Sequence, residues 1–187
     1  MSYMVPVEDV ALQAQEGLRR AAITAGKNLA IQKSIASSQA ELIERPADYL
    51  ADYIPAGPIV NLYGWQTMPL AAIAGNYSVF ANSTPAAVTP TVPDNAVWVF
   101  YGVELLDPNP QVSYLLFTIG PAGNRTAQFD LEQLMAANRT EGYFTKPVVY
   151  GPHDIVGCTV RAISATGLPA RVVLKNFVIE PGDVNLT

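Results

Sequence analysis

The sequence predicts a mainly β protein, an antiparallel β-sandwich of jelly-roll-like style preceded by an N-terminal helical arm. Three observations point there. From Val7 to Arg45 there is no proline, alanine and leucine are frequent, and Pro46 then forces a break, which describes one long helix or a helical hairpin. After Pro58 the texture changes to short β-branched and aromatic runs separated by turn residues. The chain has 187 residues, half of them apolar and only 14% charged, which suits a single core and excludes wholesale disorder.

Within the arm, Leu18, Ala22, Ala25 and Leu29 follow a 4-3-4 spacing and form a narrow apolar stripe. Ile31, Ile35 and Leu42 continue at helical spacing, yet at about 100° per residue Ile31 falls on the far side of the cylinder from Leu29. Either the helix breaks near Gly26-Lys27-Asn28 or it is covered on different sides along its length. Gly17 and Gly26 each weaken an isolated helix by about 1 kcal/mol relative to alanine, so packing has to supply its stability. The stripe meets Gln15 and Gln32 when extended, which argues against a regular coiled-coil stalk. Two arrangements remain: an arm laid on other molecules, or one folded back on its own β domain. On the first, loss of residues 1–45 would leave the β domain folded and abolish assembly.

Residues 1–54 thus read as the arm and 55–187 as the sandwich. At their junction, Ala-Asp-Tyr occurs twice, and Tyr49 and Tyr53 at i and i+4 place two rings on one side of a short helix. Strands are predicted at 59–63, 69–73, 77–81, 96–105, 112–119, 147–150, 155–165 and 170–179. Both alternating sets of Ala96–Leu105 are apolar, so that strand should be covered on both faces. Asp107-Pro108-Asn109-Pro110 and Gly120-Pro121-Ala122-Gly123 supply turns between antiparallel strands. A short helical insertion is expected near 130–138, and an extended loop at 81–95, where Pro85, Pro90 and Pro93 interrupt small and hydroxyl residues.

Composition leaves little for catalysis. One cysteine, Cys158, has no intrachain disulfide partner, and one histidine, His153, cannot build a zinc cluster with it. His153 reads as a solvated turn residue and Cys158 as a small buried hydrophobe in a period-two pattern. Glu104, Asp107, Asp130, Glu132 and Glu141 offer carboxylates, but sequence gives no spacing between them of the kind glycoside hydrolysis requires. A net charge of -5 disfavours a nucleic-acid partner, no apolar run is long enough for a membrane span, and the N-terminus reads as lacking a secretory leader. No enzyme, metal or cofactor is expected.

The arm at Val7–Arg45, the run Val97-Trp98-Val99-Phe100-Tyr101-Gly102-Val103 and the closing Val172–Gly182 together resemble the auxiliary structural proteins of virus particles, in particular capsid decoration or cement proteins of tailed phages. That resemblance is one of overall style. It implies a protein of the virion that clamps neighbouring subunits of a major capsid protein, as a dimer or trimer. On that reading Leu18, Ala22, Leu29, Ile31, Ile35, Leu42, Tyr49 and Tyr53 are the interface candidates. The alternative is a receptor- or carbohydrate-binding module of a virion tail or fibre, with Tyr49, Tyr53 and Trp65 presented to a glycan.

Overall fold

Val97–Leu105 is buried along nearly its whole length, so it has to lie centrally in a sheet with material on both faces. The computed structural model describes residues 3–6, 12–47, 75–80, 90–106, 112–163 and 172–182, and places this strand in the middle of a sandwich. The elements are β1 (Met4–Pro6), α1 (Leu12–Gln32), β2 (Leu42–Pro46), β3 (Gly75–Ser78), β4 (Val97–Leu105), β5 (Val112–Ile119), β6 (Asn124–Asp130), α2 (Glu132–Ala136), β7 (Glu141–Tyr150), β8 (Val156–Ala162) and β9 (Val172–Pro181).

Two antiparallel sheets face each other, one in the order β1-β7-β4-β9-β2 and the other β3-β8-β5-β6. Among the described strands, successive strands from β2 to β9 alternate between the two sheets except in the β5–β6 hairpin. That alternation, with four strands on each side, is the winding of a jelly roll, and β1 is an additional strand beside β7. The register Leu105↔Val172, Glu104↔Glu141 and Gly75↔Ala162↔Val112 brings the strand ends flanking α2 to one end of the sandwich.

Inward residues of the two sheets make the principal core, including Trp98, Phe100, Phe117, Phe129, Phe144 and Tyr150. Their rings interlock. Phe129 stacks on Phe144 with centroids 3.7 Å apart, and Phe117 meets Phe100 at 5.3 Å. A bulge at Tyr101 puts one extra residue of β4 against β9. It turns the Tyr101 ring outward, where it stacks on Phe177 at 4.7 Å.

The long helix or helical hairpin expected over Val7–Arg45 is corrected by the structure. α1 stops at Gln32 in a Schellman motif, with Ser34 at φ 60, Ile35 N donating to Ala30 O and Ser34 N donating to Ile31 O. One 3-10 turn at Gln39–Glu41 follows, and Leu42–Pro46 is a strand paired with β9 rather than helix. The described part of residues 1–54 therefore gives two edge strands to the first sheet as well as a helix, while the boundary at 54 lies outside the described residues. So do the expected strands at 59–63 and 69–73 and most of the 81–95 loop. The helical insertion near 130–138 is present as α2.

Candidate functional site

Since the interface residues read from sequence lie on α1 and just after it, the helix comes first. Ala22, Gly26 and Ala30 are its buried residues, one turn apart, and they lie against β4, β7 and β9. Such small side chains let the helix approach the sheet closely. A Cβ on Gly26 would fall 2.9 Å from Ile179 Cγ1. At that height the residues on either flank of the contact line also reach the sheet. Leu29 and Ile31 each sit about 100° from Ala30 on the cylinder, and both pack against the cluster formed by Val97, Val99, Tyr101, Phe177 and Ile179.

Leu18, Ala22, Leu29, Ile31, Ile35 and Leu42 thus all belong to one cluster within the chain, with Ala22 and Leu42 fully buried. Of the two arrangements open at the start, the helix adopts the second and folds back on its own β domain. Polar contacts secure it. Lys27 Nζ is 2.7 Å from Glu44 Oε2 on β2, and the Arg19 guanidinium lies 5.6 Å over the Phe177 ring. Tyr49 and Tyr53, like Trp65 and Asp107, lie outside the described residues.

Side chains with chemical potential have structural uses. His153 occupies a turn at φ 64, its backbone N donating to Val92 O, and its exposed ring has Nδ1 3.4 Å from the exposed Asp94 Oδ1. Cys158 points into the core from β8, and burial pushes its thiol pKa well up, away from the reactive thiolate. The Tyr150 hydroxyl donates to Thr118 O at 2.9 Å and ties the two sheets together; its burial likewise raises its pKa.

Two of the carboxylates singled out in the sequence meet. Glu104 and Glu141 are directly opposite on β4 and β7, and Lys175 on β9 joins them, with Nζ 2.7 Å from Glu104 and 3.6 Å from Glu141. With Lys175 only 16% exposed, the cation offsets two like charges that would otherwise repel across the strands. A pair held in this way is a clasp across three strands, not an acid and a base set apart by environment. Asp130 and Glu132 instead flank the start of α2, where Asp130 Oδ1 accepts from Glu132 N at 2.9 Å. Among the described residues, no group of three or more His, Cys, Asp or Glu is placed to hold a metal ion.

Two concavities are lined by described residues. A crevice of about 560 Å³ runs between the first turns of α1 and Tyr143, and is lined by Leu12, Arg19 and Arg20. Leu12 is 81% exposed. The second, a cleft of about 680 Å³, is bounded by Tyr3, Tyr114, Arg125, Gln128, Asp130 and Gln133. It joins the residue preceding β1, the β5–β6 hairpin and the start of α2. Sequence reading missed it because β6 was not recognised. Asn124-Arg125-Thr126-Ala127-Gln128-Phe129-Asp130 buries only Phe129 and has no clear alternation. The available signal was the turn before it, since Gly120-Pro121-Ala122-Gly123 directly after a strand calls for a returning partner.

No protein-family model matches the chain, and no curated protein matches it in sequence.

Proposed function

We propose that the chain is an auxiliary structural protein of a virus particle, a capsid decoration or cement protein that binds neighbouring subunits of a major capsid protein and stabilises the shell without catalysis. The observation that carries this reading is the winding itself, eight strands in jelly-roll order. That architecture recurs in viral capsid proteins and in lectin domains. Support of this kind is fold-level analogy, and the surface chemistry agrees with it. Among the described residues, Cys158, Tyr150 and the Lys175 clasp serve the fold, so the proposal rests on surfaces.

In this proposal the clamp is not the apolar side of α1, which the chain's own sheet occupies. Contact with the shell falls to Leu12 at the exposed start of α1 and to Ile43 on the β2 edge, both large apolar side chains open to solvent. Repetition over many copies turns a modest gain per contact into large collective stability. A dimer or trimer in the virion belongs to the proposal, without nucleic acid, membrane or cofactor.

Sedimentation with sealed capsids tests it. The chain should co-migrate with them at a fixed ratio and raise their melting temperature, and Leu12→Gln with Ile43→Lys should weaken both effects while the free chain melts unchanged. A chain that stays at the top of the gradient and leaves capsid melting unaltered would refute it.

A further inference from the structure

We propose that the cleft between Tyr3, the β5–β6 hairpin and the start of α2 binds a neutral carbohydrate. This goes beyond the shell-contact reading and uses residues that reading does not.

The cleft, about 680 Å³, has the size of a small-ligand site. Its lining pairs two kinds of group. Tyr3 and Tyr114 bring rings from separate parts of the fold, each with an apolar face and a hydroxyl tip. Tyr3 is 59% exposed, yet its backbone is fixed, because its carbonyl accepts from both Thr145 N at 3.0 Å and Thr145 Oγ1 at 3.1 Å. The fold thus sets where the Tyr3 backbone stands beside the cleft, and its exposed ring can settle its face on a ligand. Tyr114 is held too, with its hydroxyl donating to Asn76 Oδ1 at 3.3 Å.

Around the rings stand planar polar groups. Gln128 and Gln133 each carry two amide donors and an acceptor, Arg125 brings five donors, and Asp130 is an acceptor oriented by its bond from Glu132 N. Sugar hydroxyls both donate and accept, so they need such a mixture, while the C–H faces of the ring suit an aromatic surface. Charge narrows the class further. Arg125 stands against Asp130 and Glu132 in the same lining, an excess of one negative charge, which disfavours phosphate, sulfate, nucleic acid and carboxylated sugars. An extended peptide added to β6 would take affinity from main-chain hydrogen bonds, and an apolar peptide would need apolar pockets at alternate positions for its specificity. Here those positions, Arg125 and Gln128 among them, are polar.

The test uses the full chain on an array of immobilised neutral glycans, acidic glycans and peptides, followed by ¹H–¹⁵N NMR titration with methyl galactoside and methyl N-acetylglucosaminide. Neutral glycans should bind, and the shifts should centre on Tyr114, Arg125 and Gln128. Tyr3→Ala and Gln128→Ala should each weaken binding about tenfold or more with melting temperature unchanged. Absence of any neutral-glycan binding, a preference for acidic glycans or peptides, or affinity retained in both variants overturns the proposal. Capsid co-sedimentation of Tyr3→Ala should match that of the unaltered chain, so this site and the shell contact fail separately.

Discussion

Gly26 of α1 lies so close to Val99 of β4 that a Cβ built on the glycine would stand 2.5 Å from Val99 Cγ2. Both obstructing groups, Val99 and Ile179, are fully buried in the sheet beneath, so neither has free space to move into. Gly17, nine positions earlier on the same helix, would meet nothing within 4 Å. The two glycines should therefore answer oppositely to the same change. Gly17→Ala removes a helix-weakening residue at no steric cost and should stabilise the protein by about 0.5–1 kcal/mol. Gly26→Ala gains the same propensity but overpacks the interface, for a net loss of about 1 kcal/mol, and Gly26→Leu should lose several. Urea unfolding monitored by tryptophan fluorescence checks all three.

The end of α1 gives a second prediction. Ser34 takes the left-handed position of the Schellman motif at φ 60, where a β-carbon costs about 1 kcal/mol that glycine avoids. Ser34→Gly should raise stability by about 0.5–1 kcal/mol without moving Ile35 from its place against the sheet. A drop in stability in the same denaturation measurement would show that the serine itself is needed there.

Those two places also mark where sequence reading succeeded and failed. The strands that carry the core, β4, β5, β8 and β9, were legible because burial on one or both faces forces β-branched and aromatic residues into short runs. β2 and β6 were not. An edge strand buries little, so Glu44 and Arg45 on β2 read as the end of the helical arm before Pro46, and Arg125 and Gln128 on β6 look like loop in the linear chain. The end of α1 was missed because serine stands where glycine is the usual signal. Most consequential was Gly26. Read alone it weakens a helix, and only the sheet beneath it explains why small residues one turn apart allow both Leu29 and Ile31 to be covered by a single surface. The cleft was illegible for the same reason as β6, because Tyr3, Tyr114 and Arg125 are brought together only by pairing across the fold.

Buried Cys158 and Tyr150 predict the alkaline limb of stability. Burial raises the pKa of each above its unfolded value, 9.0 for the thiol and 10.0 for the phenol. Both are neutral in the fold, and above those values the unfolded chain releases protons that the native chain retains, so stability falls as pH rises. The decline should begin near pH 9. Cys158→Ala and Tyr150→Phe should each flatten it, while lowering stability at pH 7 through a lost methyl-sized contact or the lost bond to Thr118 O. A native thiol that reacts with an aromatic disulfide reagent as fast as the urea-unfolded chain would contradict the burial on which this rests.

Deleting residues 1–45 decides what the N-terminal part is for. As a detachable arm it would leave a folded sandwich behind. The structure argues otherwise. The deletion removes β1, α1 and nearly all of β2, and so strips the partners from the outer edges of β7 and β9. It also uncovers Val97, Val99, Tyr101, Phe177 and Ile179, a contiguous apolar surface that α1 now covers. Open edges beside an apolar face are an aggregation template. The truncated chain should accordingly be insoluble, or soluble only as a state that binds hydrophobic dye, has lost near-ultraviolet circular dichroism and melts without cooperativity. A truncated chain that melts cooperatively as a monomer would restore the detachable arm and return Leu18, Leu29 and Ile31 to the list of contacts available to a neighbour.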